Sequence, residues 1–328
     1  MSSGPSVPSP VMADRLSTPG RDAAPWRMAP LPVLGDLPAA RAYCREIATR
    51  HYENFTVATW LVPARLRQHL ANVYAFARWA DDLADETPRD GGAALSAWRD
   101  GLEACFAGRP MHPVYVALGE TVQQTGLTIG PFADLLSAFE EDKAFDQMAV
   151  VIRYDTRAAL LRYCSRSANP VGRIVLALEG CRDRDLMELS DAICTGLQLV
   201  NFWQDLRRDR DAGRVYLPRE DLVRHGVEAA DLDAARASPA LCALVHDEVV
   251  WARTQFDAGE PLARRAPAAL RPAIDLFLGG GRAVADAIER AGYDTLARRP
   301  IVSGGRKLGL AWWALWRAAT ARFGGRHA

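Results

Sequence analysis

The sequence has little of what would mark several common classes of protein. Its six cysteines are scattered, with no Cys-x-x-Cys pair and no nearby histidine at metal-ligand spacing. This pattern is typical of reduced thiols and not of a disulfide framework or a zinc site. Basic and acidic residues both number 40, so the net charge does not indicate a nucleic-acid partner. No apolar run approaches the roughly 18 residues of a membrane span, and no signal peptide pattern is present. These absences predict a soluble, cytoplasmic protein.

Alternating runs of β-branched residues are also nearly absent, and "AVVIRY" at 149–154 is the one exception. Apolar residues recur instead at helical spacing, first in "LPAARAYCREIATRHY" and then in "PARLRQHLANVYAFARWADDLADE", where Pro63 suits a helix start. The same periodicity predicts helices over 93–107, 112–126, 131–145, 156–180, 184–210, 238–257 and 266–291. No internal period of 20–50 residues is present, which argues against a solenoid. The sequence therefore predicts a single large all-α bundle.

Composition divides the chain into three segments. Residues 1–36 are rich in Pro, Ser and Gly and lack apolar periodicity, which predicts a disordered N-terminal arm. Residues 37–292 carry the helical patterns, and residues 293–328 form a basic tail. The tryptophans of this tail are Trp312, Trp313 and Trp316. Basic residues with tryptophans on a short helix are typical of contact with a membrane interface. Packing of the tryptophans onto the bundle is the alternative.

Two stretches place polar oxygen ligands one helical turn apart. "YAFARWADDLADE" has Asp81 and Asp85 at i and i+4, and "NFWQDLRRDR" has Asn201, Asp205 and Asp209 at the same interval. Like charges at this spacing destabilise an isolated helix, and burying a bare carboxylate costs far more. Two such faces turned toward each other are tolerable if divalent cations lie between them. Mg²⁺ prefers carboxylate oxygens and completes its octahedron with water and substrate phosphate oxygens.

A solvated helix surface is the alternative for each stretch. Asp209 has arginines on both sides, and surface ion pairs with them would contribute little. The acidic run Glu140-Glu141-Asp142 lacks the paired spacing, and we interpret it as a solvated face. The two paired elements differ from this run because each follows an apolar stretch and has an amide or an arginine one turn upstream. This difference favours a metal site.

These residues resemble a known family, the squalene and phytoene synthases, which join prenyl diphosphates head to head. "YAFARWADDLADE" and "LQLVNFWQDLRRDRDAGRVYLP" resemble the two aspartate-rich elements of that family. "YCSRSANPVGRIVL" (163–176) resembles the segment in which a central helix breaks near the active site. "HYENFTVAT" (51–59) resembles the lead into the first aspartate helix. The resemblance covers residues 38–292 and implies the terpenoid synthase fold, with a central active-site cavity.

The resemblance implies a role for each aspartate. Asp81 and Asp85 would bind one side of a cluster of more than one Mg²⁺ ion, and Asn201, Asp205 and Asp209 would bind the other side. The diphosphate of the substrate would bridge the ions. Metal and arginine together would stabilise the negative charge that develops on the leaving diphosphate.

The resemblance also implies groups that contact the substrate. Arg78, Arg214 and Tyr216 are placed to contact the diphosphate oxygens, the arginines through charge-assisted hydrogen bonds. Aromatic side chains would shape the prenyl chain and shield a carbocation, and the candidates are Phe55, Tyr74 and Phe76. A polar group would hold the attacking water, and the candidates left open are Asn54, Asn169 and Gln204.

Details of "ENF" and "SANPVG" are most similar to the bacterial hydroxysqualene synthases of hopanoid biosynthesis, which ionise presqualene diphosphate and let water capture the rearranged cation. Two departures favour this branch. Gln204 stands where many squalene and phytoene synthases carry arginine, and Tyr163 is the only tyrosine in 163–172. Loss of a cation and of a phenol fits poorly with condensation of two farnesyl diphosphates. The alternatives are a presqualene diphosphate, squalene or phytoene synthase, or a non-catalytic helical-bundle subunit.

The resemblance also sets the expected partners. The substrate is presqualene diphosphate, or farnesyl diphosphate in the condensing alternative, and other enzymes of the squalene pathway are expected partners. No nucleic acid is expected. No NADPH is expected either, because no G-x-G-x-x-G follows a strand. The expected location is the cytoplasm, with the tail at the inner face of the membrane.

Overall fold

Helices make up nearly all of the regular structure in the computed structural model, which describes residues 31, 33, 35–50, 61–86 and 91–302, without the side chains of residues 50, 85, 86 and 91. Within these ranges no β-strand forms, and "AVVIRY" contributes only one isolated parallel bridge, between Ile152 and Val215. The prediction of an all-α protein is confirmed.

The described residues form thirteen α-helices. In chain order they are α1 (Leu37–Arg50), α2 (Ala64–Glu86), α3 (Gly91–Phe106), α4 (Pro113–Thr125), α5 (Gly130–Gln147), α6 (Arg157–Ser167), α7 (Asn169–Leu178), α8 (Arg184–Gln204), α9 (Leu206–Asp211), α10 (Arg219–Arg224), α11 (Pro239–Gly259), α12 (Leu262–Arg265) and α13 (Arg271–Arg290). A 3₁₀-helix, Ala229–Asp233, lies between α10 and α11.

Local sequence sets where the helices bordering the central cavity begin. Thr156 Oγ1 accepts a hydrogen bond from the N–H of Ala159, and Asp183 Oδ1 accepts one from Leu186, each at 3.2 Å. These N-caps satisfy backbone donors that the first turns of α6 and α8 leave unpaired. Helices α6 and α8 therefore begin directly after these capping residues.

Helix α8 lies at the centre of the bundle, packed against α7, α11 and α13. Glycines permit the close approach of α8 and α13 to the fully buried ring of Phe256 on α11. A Cβ atom at Gly196 would lie 2.8 Å from this ring, and one at Gly281 would lie 2.4 Å from it. Since interiors pack as densely as organic crystals, any side chain at these positions would force the helices apart.

Two helices predicted as continuous are broken, and both breaks lie in the segments of interest. The helix predicted over 156–180 is interrupted at Ala168 (φ −118°, ψ −48°), because Pro170 lacks an N–H and crowds the preceding turn. The helix predicted over 184–210 bends at Asp205 (φ −98°, ψ 13°). Hydrogen bonds of helical spacing nevertheless cross this bend, from Asp205 N–H to the Asn201 carbonyl at 2.9 Å and from Asp209 N–H to the Asp205 carbonyl at 2.8 Å.

The structure describes residues 293–302 of the predicted tail. Leu296 is buried, and the chain around it packs against the end of α8 and the start of α9. The three tail tryptophans and the N-terminal residues 1–30 lie outside the described residues, so the membrane contact and the disordered arm stay predictions. None of the described helices is long and apolar enough to cross a bilayer.

A buried ionic cluster joins α6, α10 and α11. Arg157 Nε donates to Asp221 Oδ2 at 2.9 Å, and Arg157 Nη2 donates to Glu248 Oε1 at 3.0 Å. Neither carboxylate side chain is exposed to solvent. Burial raises the pKa of Glu248 to about 8; the charge of Arg157 opposes this rise, and Asp221 adds to it. Glu248 therefore keeps a proton in the folded protein at neutral pH.

This proton makes stability depend on pH. At pH values between the ordinary glutamate pKa of about 4.5 and the raised value, unfolding releases the proton of Glu248. The free energy of unfolding therefore falls as pH rises through that window, by at most about 1.4 kcal/mol per pH unit from this group. A Glu248→Gln variant is expected to flatten this fall and to exceed the wild type in stability above pH 8. Urea midpoints at pH 5.5 and pH 8.5 measure the effect. Glu188→Gln, which removes an exposed carboxylate paired with Arg184, is the control that leaves the fall intact; a Glu248→Gln variant with the wild-type slope would contradict the assignment.

Candidate active site

A cavity of about 250 Å³ lies between α2, α5, α6 and α8, beside the loop after α9. Its lining consists of Asp81, Ala84, Phe139, Asp142, Lys143, Asp146, Tyr163, Ser167, Gln198 and Arg214. Three carboxylates and two cationic groups therefore share this wall with uncharged hydrogen-bonding groups. Such a lining suits a charged ligand better than a purely apolar one.

The first aspartate element reaches this cavity through Asp81, whose side chain is 46% exposed. Its neighbour Asp82 is buried and holds Arg78, with Nε to Oδ2 at 3.1 Å and Nη2 to Oδ1 at 2.7 Å. Arg78 also lies 3.6 Å from Asp81. Asp82, which the sequence analysis did not single out, thus fixes Arg78 beside Asp81. Asp85 follows one turn later on α2, and its side chain lies outside the described residues.

The second aspartate element borders the cavity without lining it. Gln198, one turn before Asn201 on α8, lies in the wall, whereas Asn201 is exposed at the end of the helix. Asp205 and Asp209 follow at the bend and on α9. Burial raises the pKa of Asp209 to about 7, and the charge of Asp205 adds to this rise. Burial together with the charge of Asp205 therefore outweighs the opposing charges of Arg214, Arg208 and Arg153.

The donor set of these elements fits a hard divalent cation. Asn201, Asp205 and Asp209 offer oxygen atoms, which Mg²⁺ prefers, and a cation at the second element would relieve the repulsion between its carboxylates. Among the side chains that the structure describes, no group of three or more His, Cys, Asp or Glu residues converges closely enough to hold a metal. The described residues thus supply separate donors instead of a closed protein cage. Mg²⁺ sites commonly have this character, because phosphate oxygens of the substrate complete them.

Gln204 lies away from the cavity and holds the chain after α13. Its Nε2 donates to the Pro300 carbonyl at 2.6 Å, and its Oε1 accepts from Arg299 Nη2 at 3.0 Å. Arg299 also pairs through Nε and Nη2 with both carboxylate oxygens of Asp205. The inference that the second aspartate element lacks a cation because residue 204 is a glutamine is therefore wrong. A guanidinium reaches the same place from residue 299, which sequence reasoning had assigned to the tail.

The prediction that the run Glu140-Glu141-Asp142 is a solvated face is wrong. Asp142 lines the cavity and accepts hydrogen bonds from Tyr163 Oη at 2.6 Å and from Arg153 Nη1 at 2.8 Å. Burial raises the pKa of Asp142, although the Tyr163 hydrogen bond and the Arg153 charge lower it in part. Spacing within α5 does not reveal this, because the partners come from segments later in the chain.

The other two acids of that run are also paired. Glu140 accepts from Arg99 on α3 at 2.7 and 2.9 Å. Glu141 accepts from Tyr154 Oη at 3.1 Å and pairs with Arg166 on α6. These contacts tie α5 to α3 and α6, although the Glu140 side chain stays 36% exposed.

Arg214 lies in the cavity wall, close to where the diphosphate is expected. Its Nη2 donates to Asp146 Oδ2 at 2.6 Å, and the fully buried Arg153 pairs with the same carboxylate. Tyr216 is buried and stacks on Phe202 with ring centroids 3.9 Å apart. Its hydroxyl lies 3.4 Å from the carboxylate of Asp142 and therefore points toward α5. Sequence reasoning missed Asp146, which holds Arg214 in place.

Asn169 is buried at the start of α7 and links the break between α6 and α7 to α8. When its amide is oriented with the nitrogen toward the surrounding acceptors, Asn169 donates to Thr195 Oγ1 at 3.0 Å and to the carbonyls of Asp191 at 3.2 Å and Cys164 at 3.3 Å. Because several partners engage this amide, its contacts are those of a side chain that stabilises the helix break. The break itself lies at the cavity, as the resemblance implies.

The structure describes two of the three aromatic candidates, Tyr74 and Phe76. Tyr74 is half-buried against the core, and Phe76 is fully buried, edge-on to Phe132 at 5.4 Å. Neither lines the cavity, where Phe139 and Tyr163 are the aromatic residues. Asn54 and Phe55 lie outside the described residues. Tyr163 had been noted only as the one tyrosine of its segment, and Phe139 has no signal in the sequence that separates it from core positions.

An all-helical bundle with acidic elements around one cavity defines a terpenoid synthase-type fold. The squalene/phytoene synthase family model matches residues 48–306, and the chain belongs to that family. A hydroxysqualene synthase from Rhodopseudomonas palustris is 36% identical over 217 residues, which cover 66% of this chain and 72% of the relative. A phytoene synthase from Arthrospira platensis is 31% identical over 288 residues, which cover 81% of this chain and 89% of the relative. A crystal structure of squalene synthase HpnC from Alicyclobacillus acidocaldarius has a TM-score of 0.74 and 40% identity, covering 80% of this chain and 97% of that one.

Proposed function

We propose that this protein converts presqualene diphosphate and water to hydroxysqualene and diphosphate, with Mg²⁺, in hopanoid and squalene biosynthesis. The observation that carries the proposal is the composition of the cavity wall. A carboxylate of the first aspartate element, a fixed guanidinium and uncharged hydrogen-bonding groups surround one space. Ionisation needs the charged groups, and capture by water needs a polar group near the cation.

Asp81 and Asp85 on α2, with Asn201, Asp205 and Asp209 on the second element, would hold Mg²⁺ in this proposal. Bound there, Mg²⁺ supplies Lewis-acid stabilisation of the diphosphate as the carbon–oxygen bond breaks. The protein's own part is to keep these oxygen donors apart and oriented before the substrate arrives. The α2 helix and the hydrogen-bonded bend at Asp205 do this.

Arginines held by buried or half-buried carboxylates would bind the diphosphate. Asp82 fixes Arg78, and Asp146 fixes Arg214 at the cavity. A guanidinium held in this way reorganises little when negative charge develops on the leaving group, and such preorganised electrostatics commonly contributes more to catalysis than any other single effect. The 36% identity to a hydroxysqualene synthase supports the choice of presqualene diphosphate as the substrate.

Condensation of two prenyl diphosphates is the second candidate function. The similarity to a phytoene synthase favours it, and so do two features of the structure. Arg299 supplies the cation that Gln204 lacks, and the phenol of Tyr163 lies in the cavity wall. Both weaken the sequence argument against condensation, so the choice between the two reactions depends on a direct assay.

The decisive experiment follows product formation by the full chain with Mg²⁺. With presqualene diphosphate as substrate, we expect hydroxysqualene and diphosphate in equal amounts with and without NADPH, detected by mass spectrometry and a diphosphate assay. Incubation with farnesyl diphosphate alone is expected to give no C30 product. A C30 product from farnesyl diphosphate would establish condensation instead, and absence of product from both substrates would support a non-catalytic role. A reaction with EDTA is the control for the metal requirement.

A further inference from the structure

Ser167 is the last residue of α6 and lines the cavity at the break between α6 and α7. Its Oγ is buried and has no hydrogen-bond partner in the described structure. Ser165, two residues earlier, shows the ordinary behaviour of a helical serine, because its Oγ donates to the Arg162 carbonyl at 2.7 Å. Ser167 therefore departs from the pattern of its own helix at the point where the helix meets the cavity.

One backbone carbonyl near this hydroxyl already has two donors. The nearest free acceptor for a serine at the end of a helix is a carbonyl three or four residues back. The carbonyl three residues before Ser167 belongs to Cys164, which already accepts from the Ala168 N–H at 3.0 Å and from the Asn169 amide at 3.3 Å. A buried hydroxyl without a partner destabilises the fold, so its presence calls for an explanation such as a bound water or a catalytic role.

Of the candidates for holding the attacking water, Asn54 lies outside the described residues, and Asn169 and Gln204 have other partners. Backbone carbonyls and Thr195 engage the amide of Asn169, and Pro300 and Arg299 engage the amide of Gln204. The Tyr163 hydroxyl on the cavity wall donates to Asp142. Gln198 lies on the α8 face that continues to Asn201, where the diphosphate is expected.

We infer that Ser167 Oγ positions the water that captures the carbocation, an inference that rests on the proposed function. In this step the carbon–oxygen bond to diphosphate breaks, and its electron pair leaves with the diphosphate. A lone pair of the water forms the new carbon–oxygen bond, and the proton of that water passes to the released diphosphate. No atom is oxidised or reduced overall. Ser167 accepts a hydrogen bond from the water, which orients the lone pair toward the cation, and is itself unchanged.

The test compares ionisation with product distribution in variants of the full chain. With presqualene diphosphate and Mg²⁺, Ser167→Ala is expected to release diphosphate within about twofold of the wild-type rate, while the hydroxysqualene share of the products falls by about tenfold. Hydrocarbons formed by proton loss from the cation would replace the alcohol. Ser167→Thr, which keeps a hydroxyl, is expected to retain the alcohol, and Ser165→Ala is the matched control with a wild-type product ratio.

Each other outcome overturns the inference in a recognisable way. An unchanged product ratio in Ser167→Ala shows that the hydroxyl does not hold the water. Loss of diphosphate release and alcohol together, with wild-type helical content and melting temperature, places Ser167 in ionisation instead. If the wild type itself forms no alcohol from presqualene diphosphate, the proposed function fails, and the inference fails with it. Measuring the wild type first therefore separates the two failures.

Discussion

An Asp205→Asn variant is expected to lose about 10²–10³-fold in turnover of presqualene diphosphate while keeping the fold. Asparagine preserves the shape of the side chain, but it removes the negative charge of an oxygen donor in the second aspartate element and one of the two oxygens that accept from Arg299. The loss is therefore expected in kcat, whereas the helical content is expected to stay that of the wild type. Turnover by a diphosphate assay and far-ultraviolet circular dichroism measure the two quantities.

The matched control for this variant is another aspartate that pairs with an arginine. Asp233 pairs with Arg210 through both carboxylate oxygens at 2.8 Å, yet its side chain is 58% exposed and lies outside the cavity lining. Asp233→Asn makes the same chemical change and is expected to leave turnover within about twofold of the wild type, since exposed ion pairs contribute little. Full activity in Asp205→Asn would show that the Asp205 carboxylate has no role in the reaction.

An Arg153→Met variant is expected to lower the free energy of unfolding by about 3–5 kcal/mol. The Arg153 side chain is fully buried and pairs with Asp142 and Asp146, which in turn engage Tyr163 and Arg214. Removing the guanidinium breaks the Arg153 pair of Asp142 and leaves Asp146 paired with Arg214, in a region of restricted solvent access. Urea denaturation at pH 7 measures the loss as a lower midpoint.

The control for this prediction is Arg219→Met, which removes an exposed guanidinium paired with the exposed Asp155 at 2.9 Å. A change within about 0.5 kcal/mol is expected there, because surface pairs are screened by water. If Arg153→Met is as stable as Arg219→Met, the buried pairs on α5 do not hold the cavity wall. A second variant, Arg153→Lys, keeps a charge without the planar fork and is expected to lie between the two.

Apolar periodicity was a reliable guide to the helices and a poor guide to their continuity. The stripe that begins at Pro63 predicts α2, which the structure places from Ala64 to Glu86. Neither break could be derived from periodicity, because the apolar pattern continues through Ala168 and Asp205. The first break follows from a local cause, Pro170, that the sequence does contain. The bend at Asp205 has no such signal, and the chain that packs over it comes from residues 296–300.

The candidate site shows the same division. Asp81 and Arg214 were identified from spacing and resemblance, and both line the cavity. Asp142 and Asp146 were missed, because their importance depends on Arg153, Tyr163 and Arg214, which lie later in the chain. An acidic run on a helix has the same appearance in the sequence whether water or buried arginines surround it.

The sequence by itself determined the helical class of this protein, its family and the helices that carry the two aspartate elements, since helical periodicity and short motifs are local properties of the chain. Only the tertiary structure decided which charges meet. It supplied Arg299 opposite Asp205 and turned the α5 carboxylates toward the cavity. It also left the Ser167 hydroxyl unpaired at the cavity wall. The physical reason is that burial and pairing depend on neighbours distant in sequence, and these set the energy of a charge or a hydroxyl more strongly than its own helix does.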